Sequence, residues 1–102
     1  MTTRLEKLEA MLADDPRDQT LRYMLAMELD KLGDHDRSLD LFTGLMNDTT
    51  PHVPSFLMAG QLLVRLDRTE EARGVWQTGI QHARDQGNDH AAGEMSQFLM
   101  DL

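Results

Sequence analysis

Residues 23–42 read YMLAMELDKLGDHDRSLDLF and residues 57–76 read LMAGQLLVRLDRTEEARGVW, the second stretch starting 34 positions after the first. In this alignment Met24, Leu29, Leu32 and Phe42 fall opposite Met58, Leu63, Leu66 and Trp76, and every pair keeps its apolar character. A period of this size marks a stacked-helix solenoid, in which one repeat cannot bury its own apolar face and the next repeat completes the core. Architectures of this kind present surfaces. The period therefore predicts a binding module rather than an enzyme.

Six helices emerge on working outward from the repeat, and the fold class they predict is all-α. The first covers roughly residues 2–13, with Leu5, Leu8, Met11 and Leu12 as one apolar stripe that Asp15 and Pro16 end. The second runs from about 18 to 32, with Asp18 as N-cap, Leu21, Leu25, Leu29 and Leu32 as its stripe, and Gly33 closing it in the left-handed region. The third, about 34–48, carries Leu39, Phe42, Leu45 and Met46 up to the break at Thr49, Thr50 and Pro51. The fourth begins between Pro51 and Pro54, where proline is tolerated in a first turn, and ends at Leu66. Asp67 stands where the other repeat has Gly33, and aspartate tolerates left-handed geometry better than most residues. The fifth, about 69–86, holds Ala72, Val75, Trp76, Ile80 and Ala83, and Gly87 stops it before a last helix capped by Asn88 or Asp89. Short connections force consecutive helices antiparallel, which makes them helical hairpins.

Composition narrows the function. The 102 residues suffice for one domain with a real core, and the absence of cysteine excludes disulfides, thiolate catalysis and thiolate metal sites. No apolar run is long enough to cross a bilayer, and the start reads as an amphipathic helix rather than a signal peptide, so a cytoplasmic protein is expected. Ten Lys and Arg are scattered among eighteen Asp and Glu, a net charge of −8 that argues against a nucleic-acid partner. No cofactor fingerprint, nucleophile elbow or P-loop occurs. His35, His52, His82 and His90 show no metal-ligand spacing, and Asp34-His35-Asp36 reads as a solvated turn, so neither a metal nor a catalytic site is expected.

The pattern resembles the tetratricopeptide repeat, whose unit places a large residue, Leu and a small residue, an aromatic, then Ala, an aromatic and Pro. Arg22, Leu25, Ala26, Leu29, Ser38, Phe42 and Thr50 occupy these places in the first unit, and Phe56, Ala59, Gly60, Leu63, Ala72, Trp76 and Arg84 in the second. Subtracting 34 from Phe42 and Thr50 gives Leu8 and Pro16, so residues 2–16 look like the second half of a preceding unit. The last helix departs from the period by two residues: Ala92, Met95, Ser96 and Leu99 take the large, Leu, small and aromatic places. The resemblance thus implies one domain over 1–102: a half-repeat helix at 2–16, repeat units at 18–51 and 52–86, and a capping helix at 88–102. It is of the small, stand-alone bacterial kind.

The resemblance also implies a concave face, lined by the first helix of each pair, that holds a peptide or a partner helix. Its candidate residues are Tyr23, Met24, Met27 and Asp30 in the first unit and Leu57, Met58, Gln61, Val64 and Arg65 in the second. Family members that grip the C-terminal carboxylate of heat-shock chaperones use Lys and Asn on this face. Tyr23, Met27 and Met58 stand there instead, so an apolar segment is the expected ligand, with Asp30 and Arg65 setting its orientation. Methionine adapts to loosely specified partners, although methionine at helical spacing is also what burial produces. The alternative function is homo-oligomeric assembly, with a homodimer as its simplest form, through Ala91 and Phe98, which the shifted register leaves without a further helix to cover them unless Phe98 folds back onto the fifth helix.

Overall fold

A computed structural model describes all of residues 1–102, as six helices and no strand. Helix α1 spans Arg4–Asp14, α2 Gln19–Lys31, α3 His35–Met46, α4 Val53–Arg65, α5 Thr69–Asp85 and α6 Asp89–Met100. Local chemistry sets most of the ends. Thr3 and Glu6 form a reciprocal capping box at the start of α1, and Asp18 accepts from the Leu21 N–H at 2.8 Å. Asn88 accepts from the Ala91 N–H at 3.1 Å, which decides between the two expected caps of α6. Gly33 and Gly87 close α2 and α5 at φ of 88° and 72°, and Asp67 follows α4 at φ of 61°, the left-handed residue anticipated there.

The helices stack in chain order as antiparallel hairpins, a file of nearest neighbours measuring 44 × 29 × 18 Å. The thin dimension matches two layers of helices about 10 Å across. The core is correspondingly divided. Leu8, Leu25 and Leu29 join α1 to α2; Ala26, Phe42, Leu45, Ala59 and Leu62 join α2 and α3 to α4. The largest cluster, built around Phe56, Leu63, Trp76, Ile80 and Met95, joins α4, α5 and α6. Full burial of a side chain such as Phe42 stabilises by roughly 1.5–3 kcal/mol.

Small residues carry the close approaches. Buried Ser38 donates from Oγ to the Ala26 carbonyl at 2.6 Å, which brings α3 against α2 and leaves its hydroxyl satisfied. Gly60 makes room for a side chain rather than a backbone, because the Trp76 indole lies over it. On α6, Ala92 and Met95 are buried while Gly93 and Gln97 are exposed, the face given by the two-residue shift. The shift has its cause in α5, which at 17 residues outruns the 12 of α3.

Two expectations about stripes are corrected. Met11 and Leu32 point outward, at 52% and 59% exposure. Helix α1 packs mainly on α2 and reaches α3 only through Leu41 and the Glu9–Arg37 ion pair, so its buried stripe narrows to Leu8 with Leu5 and Leu12 beside it. Leu32 is the C-cap of α2 rather than part of its last turn, and its side chain leaves the core there.

Candidate functional site

The first helices of the successive pairs, α2, α4 and α6, carry the residues expected on the concave face, and the structure sorts them into two seams. In the seam between α2 and α4, Tyr23 and Met27 of α2 and Met58 of α4 pack, half-buried, over the Ala26–Phe42–Leu62 cluster. Tyr23 meets Phe42 edge-on at 6.1 Å and the His52 ring at 5.0 Å, and burial raises its phenol above the ordinary value. The far end of this seam is closed by an ion pair: Arg65 donates to the Asp30 carboxylate at 2.7 Å, and His35 Nδ1 lies 3.2 Å from the other oxygen. Asp30 and Arg65 therefore hold each other, a partnership their separate positions in the sequence did not announce.

The seam between α4 and α6 is a cleft of about 320 Å³ lined by Gln61, Val64, Arg65, Trp76 and Phe98. Trp76 is buried to its edge. Its Nε1 donates to the Leu57 carbonyl at 3.3 Å, and its face stacks on Phe98 with centroids 5.3 Å apart and planes 19° apart. Phe98 is consequently half-buried, which favours its folding back onto the fifth helix over an uncovered solenoid end; Ala91 likewise packs against the cluster around Trp76. Val64, 37% exposed, sits on the cleft rim as the open apolar side chain of this face.

The other candidates are divided between lining and core. Met24 turns away from α4 and packs with Leu8, Leu25 and Leu29 against α1, and Leu57 packs on the core cluster shared by α4, α5 and α6. The alternative explanation of a helically spaced methionine holds for Met24. Trp76, expected between the repeats, and Phe98, expected at the solenoid end or folded back onto the fifth helix, both border the cleft. The aromatic-to-aromatic contact could be found in sequence only by combining the α6 shift with the Trp76 position.

A polar site at the joint between α3 and α4 escaped sequence reading. Arg22 grips Asp48 with both terminal nitrogens, at 2.6 and 3.2 Å, while Gln19 donates to Asp48 at 2.9 Å and to the Thr50 carbonyl at 2.8 Å. The Arg22 hydrogen bond is the main reason the Asp48 carboxyl titrates below its usual range. Gly44 lets the guanidinium lie along α3, since a β-carbon there would come within 3.1 Å of it. His52 follows, with Nδ1 2.7 Å from buried Ser55 Oγ, and burial pushes its imidazole below the ordinary value. No three His, Asp or Glu side chains converge in a metal-binding geometry, and no helix is long and apolar enough to cross a membrane.

No family model and no curated protein matches the chain. Solved structures do. A tetratricopeptide repeat domain protein from Salinibacter ruber, determined in solution, is 33% identical over 85% of this chain and 88% of its own, with a TM-score of 0.80. A crystal structure of a tetratricopeptide repeat domain protein from the same organism gives 32% identity over 83% of this chain and 94% of its own, at a TM-score of 0.75. A protein from Bordetella parapertussis is 25% identical over 99% of this chain and 88% of its own, at 0.81. With the helix hairpins, the left-handed closures and the small-residue contacts in their places, the chain belongs to the tetratricopeptide repeat family.

Proposed function

We propose that the chain is a non-catalytic protein-interaction module that holds an apolar segment of a partner on its concave face. The observation that carries this reading is the cleft between α4 and α6, where an open Val64 borders an aromatic floor of Trp76 and Phe98 beside the polar amide of Gln61. Apolar walls with few polar groups are what a peptide side chain needs: burial supplies affinity and the amide fixes direction. Tyr23, Met27 and Met58 extend the apolar surface over the neighbouring seam. The net charge of −8 favours a protein over a phosphate backbone.

Because Val64 is exposed, an aspartate there leaves the core untouched and introduces a charge that an apolar ligand would have to desolvate. Affinity capture from native lysate with mass spectrometry should recover a protein with the wild type and lose it with Val64→Asp, at unchanged helicity. Recovery of the same protein by both would move the site off this cleft.

A further inference from the structure

The opposite, convex face carries a second groove. Between α3 and α5 lies a cleft of about 390 Å³ whose floor is Leu39 and Met46 of α3, Leu63 of α4 and Val75 of α5. It runs on, through Met46 and Val75, into a neighbouring hollow of about 240 Å³ that reaches Asn47, Thr78 and His82. Leu39, Met46 and Val75 are only half-buried, so the two helices leave an apolar trough unfilled. Along α3 the trough extends from Asp36 to Asn47, about 16 Å at roughly 1.5 Å per residue, enough for three turns of a helix.

Its rim is acidic. Asp36 and Asp40 are exposed, one turn apart on the same side of α3, and neither forms an ion pair. Asp36 lies in the first turn of α3, where its charge favours the helix dipole, but Asp40, one turn further on, has no such role, and like charges at this spacing weaken a helix slightly. Arg68, the cation on the rim, is engaged by Glu71, and Asp36 adds to the field around it. The trough therefore offers aliphatic surface flanked by two exposed carboxylates outside any ion pair, Asp36 within the field of Arg68 and Asp40 beyond it.

We propose that this convex trough docks a cationic amphipathic helix of a partner protein, its aliphatic stripe on Leu39, Met46 and Val75 and its lysines or arginines toward Asp36 and Asp40. Charge chooses the occupant: nucleic acid and anionic lipid are repelled by the rim, and a second copy of the chain brings its own −8. Specificity would come from the carboxylates and affinity from the floor. The surface is separate from the concave cleft, so the chain would hold two partners at once, or one partner that wraps it.

The test uses a fluorescein-labelled synthetic helix with leucines at i, i+3, i+4 and i+7 flanked by lysines, and a twin flanked by glutamates, followed by anisotropy on the full chain. The lysine peptide is expected to bind and the glutamate twin not to. Asp36→Lys with Asp40→Lys should weaken binding by about tenfold or more, and Asp36→Asn with Asp40→Asn by a smaller factor, with circular dichroism unchanged. Absence of binding by the lysine peptide overturns the proposal. So does an equal loss from Asp14→Lys with Asp15→Lys, which would mean a bulk charge effect. An equal loss from Val64→Asp would put the peptide in the concave cleft, and a wild-type dimer dissolved by the α3 charge reversal would mean that a second copy fills the trough; either result also overturns it.

Discussion

A β-carbon at Gly60 would sit 2.1 Å from Trp76 Nε1, whereas one at Gly74 would meet nothing within 4 Å. The two helical glycines should therefore respond to alanine with opposite signs. Gly60→Ala must displace the indole and is expected to cost about 1–3 kcal/mol in urea denaturation. Gly74→Ala relieves the glycine penalty in an exposed helix turn and should stabilise by roughly 0.5–1 kcal/mol. Asp67 is held at φ of 61° in a region that costs an L-residue roughly 1–2 kcal/mol. Part of that returns as unfolded-chain entropy when glycine replaces it, so Asp67→Gly should raise stability by about 0.5–1 kcal/mol. The strained aspartate was legible, because its counterpart 34 positions earlier is Gly33. The use of Gly60 was legible only as a need for smallness, since what fills the space depends on the rotamer of a tryptophan sixteen residues away.

Among the elements, the joint between α3 and α4 concentrates the titratable chemistry. The groups facing the His52 ring are Tyr23 of α2, Ser55 of α4 and the Arg22–Asp48 pair. Burial holds the His52 imidazole below its ordinary value of 6.5 in the folded state, so the unfolded chain takes up the proton first. Its neutral form costs nothing above that value, and stability falls as pH drops below it. Asp48 is also depressed, from 3.8, so its stabilisation is present above that value and is lost as pH falls through its folded pKa. Both groups make the joint weaker in acid. In wild type, urea midpoints should decline between neutral pH and about pH 5, and His52→Gln should flatten that decline; an unchanged slope would assign the loss elsewhere. The six helices themselves were readable from Pro16, Gly33, Pro54 and Gly87, whose backbone constraints act locally. Arg22 was visible only as a departure from the large apolar residue of the family pattern. Its partner Asp48 is separated from it by a whole helix, and local rules do not reach that far. The outward turn of Met11 has the same origin: how much of a stripe is buried depends on a second neighbour, and for α1 that neighbour, α3, reaches it only at its edge.

For the whole molecule, stability is a chain of nearest-neighbour interfaces, each with its own cluster. Trp76 joins three helices at once, through the Gly60 contact on α4 and the Phe98 stack on α6. Trp76→Ala should cost about 3–5 kcal/mol. Its signature should be regional, with hydrogen exchange protection falling first in α6 and α4 and persisting in α2 and α3. Uniform loss across all six helices would mean that the solenoid unfolds as one unit. The division into hairpins was evident from the period, and the failure of the period by two residues located α6. The concave surface was harder, because a helix face known from register still has to share its side chains among groove, core and neighbour. Met24 went to α1, Tyr23 to the Phe42 and His52 rings, and Val64 stayed open.

The Asp30–Arg65 pair spans from one repeat to the next with a half-exposed guanidinium, so it is placed to tether the curvature between them. Dissolved ions screen such a tether while leaving the apolar clusters intact. Spring stiffness between repeats thereby becomes a function of ionic strength. Solution scattering in concentrated salt should show a slightly straighter, longer particle than the 13.8 Å radius of gyration describes, and Arg65→Gln should give the same lengthening in dilute buffer.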